Sequence, residues 1–132
     1  MGTWAGNIER ITMENSFYRK VIHTGKHIQL VVMTLQPGEE IGLEVHGDID
    51  QFIRVEEGVA TLNTGPAKDV VEQSVAIGPD WAVIVPAGTW HNVINSGLGP
   101  LRLYTIYTPA EHADGTVHRT KADADADSHH HH

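Results

Sequence analysis

Val85-Pro86-Ala87-Gly88-Thr89-Trp90-His91-Asn92-Val93-Ile94-Asn95 is the stretch that decides the fold. Pro86 and Gly88 set a tight turn between two apolar runs, because proline fixes its own φ and glycine reaches positive φ without a steric cost. Side chains alternate along a strand, so His91, Val93 and Asn95 share one face of the segment after the turn. An upstream stretch answers this one: Pro37-Gly38, then Glu44-Val45-His46, then Gln51, then Gly58.

Outward from these two stretches the chain reads as short strands divided by Gly and Pro. The spacing predicts strands over 17–23, 26–35, 41–46, 51–55, 59–62, 70–77, 81–85, 90–94 and 101–107. Turns fall at Thr24-Gly25, Pro37-Gly38, Gly58, Asn63-Thr64-Gly65-Pro66, Gly78-Pro79-Asp80 and Ser96-Gly97-Leu98-Gly99-Pro100. No window sustains a helical period over three turns. Many short strands with frequent turns imply an all-β sandwich or barrel able to enclose a cavity. One domain suits the 132 residues. Its expected divisions are an N-terminal arm at 1–14, a barrel at 15–112 and an acidic tail at 113–132. The run Ala122-Asp123-Ala124-Asp125-Ala126-Asp127 is expected to be disordered. His129 to His132 resemble an affinity tag and stand outside the fold reading.

The formal charge of -8 disfavours nucleic acid and anionic membrane as partners, and a heavily phosphorylated substrate as well. Without cysteine there is no disulfide and no thiolate metal site, so any ion must sit on His, carboxylate or amide groups. No segment resembles a signal peptide or a membrane span, so a cytoplasmic protein is expected.

Strand alternation places Glu44 and His46 on one face. On the next strand, Arg54 and Glu56 mark the solvent side, which turns Gln51, Ile53 and Val55 inward. Two interior histidines with a glutamate and a glutamine need a partner. A divalent ion is one such partner; a hydrogen-bond network without metal is the other. Tyr104 and Tyr107 lie on opposite faces of the last strand, and one of them can enter the pocket as an acid or hydrogen-bond donor. Gln29, amid apolar residues, is either an orienting group or an edge residue. His23, His27 and the Glu39-Glu40 pair read as surface groups, and Trp81 and Trp90 as core or rim. No second carboxylate is expected near the pocket.

At these residues the sequence resembles the cupin superfamily. Its first motif has Gly, five residues, His, one residue, His, three or four residues, Glu, six residues, Gly. Here the matching positions are Gly38, Glu44, His46, Gln51 and Gly58. The second motif ends Pro, one residue, Gly, two residues, His, three residues, Asn, matched by Pro86, Gly88, His91 and Asn95. The chain looks like the small single-domain cupins known as mannose-6-phosphate isomerase-like, including its tail from Glu111 to His118. The resemblance implies a double-stranded β-helix with a metal held by Glu44, His46, Gln51 and His91. Two departures stand out: the usual first His is Glu44, and the usual Glu is Gln51. These exchanges offset each other in charge, because the carboxylate has moved rather than vanished. The N/O donor set suits Mn, Fe, Co, Ni or Zn.

The resemblance and the donor set together point to a metal-dependent isomerase or lyase on a sugar-like or hydroxy-carbonyl substrate. The alternatives are an iron-dependent dioxygenase and a non-catalytic module that binds a carbohydrate or small metabolite. A homodimer is expected, with Trp4 in the N-terminal arm as a contact.

Overall fold

The computed structural model describes residues 2–127. The run His129 to His132 lies outside them. The elements in chain order are α1 (Ile8–Glu14), β1 (Arg19–Thr24), β2 (Gln29–Leu35), β3 (Asp50–Glu57), β4 (Ala60–Gly65), β5 (Gln73–Ile77), β6 (Ala82–Val85), β7 (Trp90–Asn95), β8 (Leu101–Thr108), β9 (Val117–His118) and α2 (Lys121–Asp127). Two antiparallel sheets form, one ordered β6-β3-β8-β2-β1-β9 and the other β5-β4-β7. Their inward faces meet in one apolar core that includes Val31, Met33, Leu35, Ile53, Val55, Leu62, Val93, Leu101 and Leu103.

Alternation explains this core. Along β8, Leu101, Leu103, Thr105 and Tyr107 are buried, whereas Arg102, Tyr104 and Ile106 are half-buried on the other face. Along β3, Gln51, Ile53 and Val55 turn inward and Phe52, Arg54 and Glu56 outward, the phase that the charged pair predicted. Strand β2 breaks the rule. Val32 and Thr34 on its outer face are buried too, because α1 and the turn after it lie across that side. Asn15 fastens the cover, its Nδ2 donating to Thr34 Oγ1 at 2.9 Å.

Three elements depart from the sequence reading. The arm at 1–14 contains α1, begun by Asn7, whose Oδ1 accepts from the Arg10 N–H at 3.0 Å. The acidic run is not disordered over its described length: residues 121–127 form α2. Thr120 Oγ1 accepts from the Asp123 N–H, Lys121 bonds Asp125 one turn on, Asp127 bonds His118, and Ala124 is buried. Ala-Asp alternation hides this helix, since its stability comes from partners far from the repeat.

The third departure matters most for the site. Residues 41–46 do not form a regular strand. Gly42 takes φ +110, and its N–H goes to Asn92 Oδ1 instead of the ladder. The segment still follows the free edge of β7 through Ile41 N–H to Val93 O and a reciprocal Glu44–His91 pair. That pairing puts Glu44 directly opposite His91, where side chains share a face.

The motif asparagine is a structural clamp. Asn95 is 2% exposed, and its Nδ2 donates to Leu35 O and Gly99 O while its Oδ1 accepts from the Gly97 N–H. Asn95→Ala is expected to lower the unfolding free energy by about 3 kcal/mol, because it strips a buried carbonyl of its donor and frees the 96–100 turn. Urea unfolding measures this. A midpoint unchanged from wild type would show that the turn holds without Asn95. The motif glycine Gly58 has a similar purpose: at φ +92, an added Cβ would lie 2.5 Å from Pro100 O.

Candidate metal centre

Four strands and one irregular segment bring the site together at one end of the barrel. Gln29 on β2, Tyr107 on β8 and Gln51 on β3 lie opposite one another in register, so a row of side chains crosses the inner face of the large sheet. His91 on β7 faces this row from the small sheet, with Glu44 beside it. The Pro86–Gly88 turn holds the last member in place: Gly88 N–H donates to His46 O at 2.7 Å, and Ala87 N–H to Asp50 Oδ1 at 2.9 Å.

Glu44, His46 and His91 each offer a ligand atom, all within 4.8 Å of one another. Glu44 Oε1 lies 3.5 Å from His46 Nε2 and 3.6 Å from His91 Nε2. Gln51 joins them, its Oε1 3.0 Å from His91 Nε2. Bonds of the usual length to a first-row divalent ion separate neighbouring ligand atoms by about 3.0 to 3.4 Å, close to these spacings.

Hydrogen bonding fixes which atoms face the centre. Thr105 Oγ1 donates its proton to Phe52 O at 2.8 Å, so it can only accept from Gln51 Nε2 at 2.9 Å. The Gln51 carbonyl oxygen therefore points at His91. His91 Nδ1 lies 3.0 Å from Thr89 O, which can only accept. The ring thus donates from Nδ1 and turns Nε2 toward Gln51 Oε1 and Glu44 Oε1, two acceptors. Only a proton or a cation at Nε2 makes that arrangement favourable. His46 Nδ1 lies 2.7 Å from Glu111 Oε2, and its Nε2 is buried without a hydrogen-bond partner. A carboxylate on one imidazole nitrogen with the other left facing a donor cluster is the arrangement that orients a metal-ligating histidine.

Charge is balanced locally. Burial works against the ionised Glu44, but the neighbouring His46 and His91 imidazoles outweigh it and hold the carboxyl down at about 2. Burial also opposes the His46 cation. The neighbouring Glu111 and Glu44 carboxylates prevail there and push the imidazole up to about 10. Tyr107 is 1% exposed, and burial, with Glu44 next in effect, pushes its phenol up, so it stays a donor.

Of the four expected ligands, all converge here, although Glu44 and His46 do so through a bulged segment and not through strand alternation. The two tyrosines separate as expected. Tyr107 packs edge-on against His46 at 6.0 Å and His112 at 5.3 Å, and Tyr104 meets Phe52 on the outer face. Glu111 overturns the expectation of no second carboxylate near the pocket. Gln29 is neither an edge nor a surface residue. It is fully buried, its Oε1 accepts from the Glu111 and His112 N–H groups, and its Nε2 donates to His112 O and Thr24 Oγ1. It therefore positions Glu111, which positions His46. Glu40 is likewise more than a solvated charge, accepting from Asn92 Nδ2. A cavity of about 410 Å³ opens onto the cluster and is lined by Tyr18, Arg19, Trp90 and, from α2, Ala124 and Asp125.

The cupin domain model matches residues 31–107. The chain belongs to the cupin family. Its two sheets are the two halves of the double-stranded β-helix. A crystal structure of a Bacillus halodurans protein superposes with a TM-score of 0.92 at 47% identity, covering 93% of each chain. The uncharacterised Bacillus subtilis protein YrkC is 51% identical over 118 residues, which is 89% of this chain and 63% of that protein. An uncharacterised protein of Acanthamoeba polyphaga mimivirus is 45% identical over 112 residues, 84% of this chain and 68% of its own. The chain thus spans less than two thirds of the Bacillus subtilis relative. Among the described residues no helix is long and apolar enough to cross a membrane.

Proposed function

We propose that this cupin is a metal-dependent enzyme of the isomerase or lyase type, acting on a small sugar-like or hydroxy-carbonyl substrate. One observation carries the reading: His46, with Glu111 on its Nδ1, turns a buried Nε2 that makes no hydrogen bond toward Glu44 and His91. Glu44, His46, Gln51 and His91 would hold the ion. A divalent ion there supplies Lewis acidity toward a substrate carbonyl or hydroxyl.

The protein's own groups do the rest. Glu44 is the most exposed member of the triad, its side chain 31% accessible against 9% for His46 and 2% for His91. Its carboxylate faces the cavity and is kept ionised by the two histidines, the state in which a carboxylate can ligate a divalent ion. Gln51 and His91 are immobilised by Thr105 and Thr89, so the donor set is arranged before substrate enters. Glu111, through His46, keeps the ring from rotating.

The test is metal content by mass spectrometry on protein without its terminal histidines, followed by solvent-deuterium exchange into a panel of hydroxy-ketones and aldoses. Near-stoichiometric metal with metal-dependent exchange is expected. Metal with binding but no exchange would assign a non-catalytic binding module instead. Glu111→Gln keeps the size of the brace but removes its charge. It is expected to weaken metal binding by about 10- to 100-fold with little change in thermal midpoint. Competition against a chromophoric chelator measures this, and an unchanged affinity would remove Glu111 from the site.

A further inference from the structure

We propose that Arg19 forms an anion-binding subsite of the cavity and docks the carboxylate of a small organic acid. The proposal rests on the reading of this cavity as a small-molecule site and adds the chemical class of its ligand. Arg19 opens β1, lines the same cavity as Glu44, His46 and Glu111, and is 7% exposed. Its guanidinium lies over the Tyr18 ring, 5.3 Å from the centroid, and Tyr18 is itself pinned by donating to Glu40 O. The fork is therefore held in place before any ligand arrives.

Its bonding is incomplete. Nη1 donates to His118 Nδ1 at 3.1 Å, so His118 carries its proton on Nε2 and gives it to Asp127. That partner is neutral. The Nε–H of Arg19 is buried with no acceptor among the described residues. Each carboxylate of the cavity wall already has a cation or an imidazole of its own: Glu44 has His46 and His91, Glu111 has His46, and Asp125 has Lys121. A buried guanidinium whose Nε–H has no acceptor is costly, and an entering anion relieves that cost. A carboxylate presents two acceptor oxygens that match the fork. A phosphate dianion is a poorer match, because a single guanidinium meets it in a cavity whose wall holds three carboxylates.

The test uses the full chain stripped of metal by chelation. Lactate and lactamide, its neutral counterpart of nearly the same shape, are titrated by saturation-transfer NMR. Lactate is expected to bind at least about tenfold more tightly than lactamide, and Arg19→Gln to bring lactate down to the lactamide level. In the wild-type chain lactate, and not lactamide, is expected to shift the Arg19 Nε–H resonance, a readout that needs no variant to fold. Absence of lactate binding, equal binding of the two, unchanged lactate affinity in Arg19→Gln, or a stationary Nε–H signal with lactate bound would each overturn the proposal. None of these arms contains metal, so failure of the metal reading leaves them interpretable, and failure here leaves the metal content untouched.

Discussion

His91→Ala is expected to abolish the metal-dependent part of the protein's stability and to lower the metal-free stability by about 3 kcal/mol. Two separate losses combine. The first needs no ion: His91 is 2% exposed, and its removal leaves a cavity, strips Thr89 O of its donor and takes one histidine from the partly buried Glu44. The second is linkage. An ion bound only by the folded state adds about 2.7 kcal/mol when it is present at a hundred times its dissociation constant. Urea unfolding with chelator and with excess metal separates the two, read on protein without its terminal histidines because those bind ions themselves. Wild type should gain stability on metal addition and the variant should not. Equal metal-induced gains in both proteins would show that the ion, if it binds, binds elsewhere.

What the sequence disclosed about this site depended on how local each signal was. The inward phase of Gln51 was legible because Arg54 and Glu56, a few residues on, declared the solvent face. His91 and Asn95 were legible because a Pro-Ala-Gly turn fixes where a strand begins, and alternation then orders its faces. Glu44 and His46 were correctly paired by a route the chain does not take, since Gly42 at positive φ breaks the strand. Glu111 left no local trace. It follows the last long strand in an irregular segment, and what fastens it is Gln29, 82 residues away in sequence, on another strand. Register across β2 and β8 creates that contact, and register is a property of pairing that one segment does not reveal. Helix α2 was illegible for a related reason: its bonds to His118 and its buried Ala124 are tertiary, while its own composition resembles that of a solvated tail.

Exchanging the two unusual ligands is the sharpest test that they share one ion. In Glu44→His the only carboxylate of the donor set is lost, leaving three imidazoles and an amide around a dication. Metal affinity is expected to fall by about tenfold or more, since a charge-assisted partner has become a neutral one. Gln51→Glu fails differently. The atom facing Thr105 Oγ1 becomes an acceptor, but the Thr105 proton is already given to Phe52 O. Either the hydroxyl turns and orphans that carbonyl, or two acceptors face each other, and the metal-free protein is expected to lose about 1 to 3 kcal/mol. The new charge also joins Glu44 and Glu111 in one pocket, and a bound ion relieves the repulsion. In the double variant the carboxylate sits at position 51 and an imidazole at 44, with the net charge of the original four ligands restored. Metal affinity should then exceed the value that the two single effects predict by addition, with a coupling of about 1 to 3 kcal/mol. Chelator competition on all four proteins closes the cycle. Strict additivity would mean that positions 44 and 51 do not act on the same ion, and the four-ligand centre would reduce to the Glu44, His46 and His91 triad.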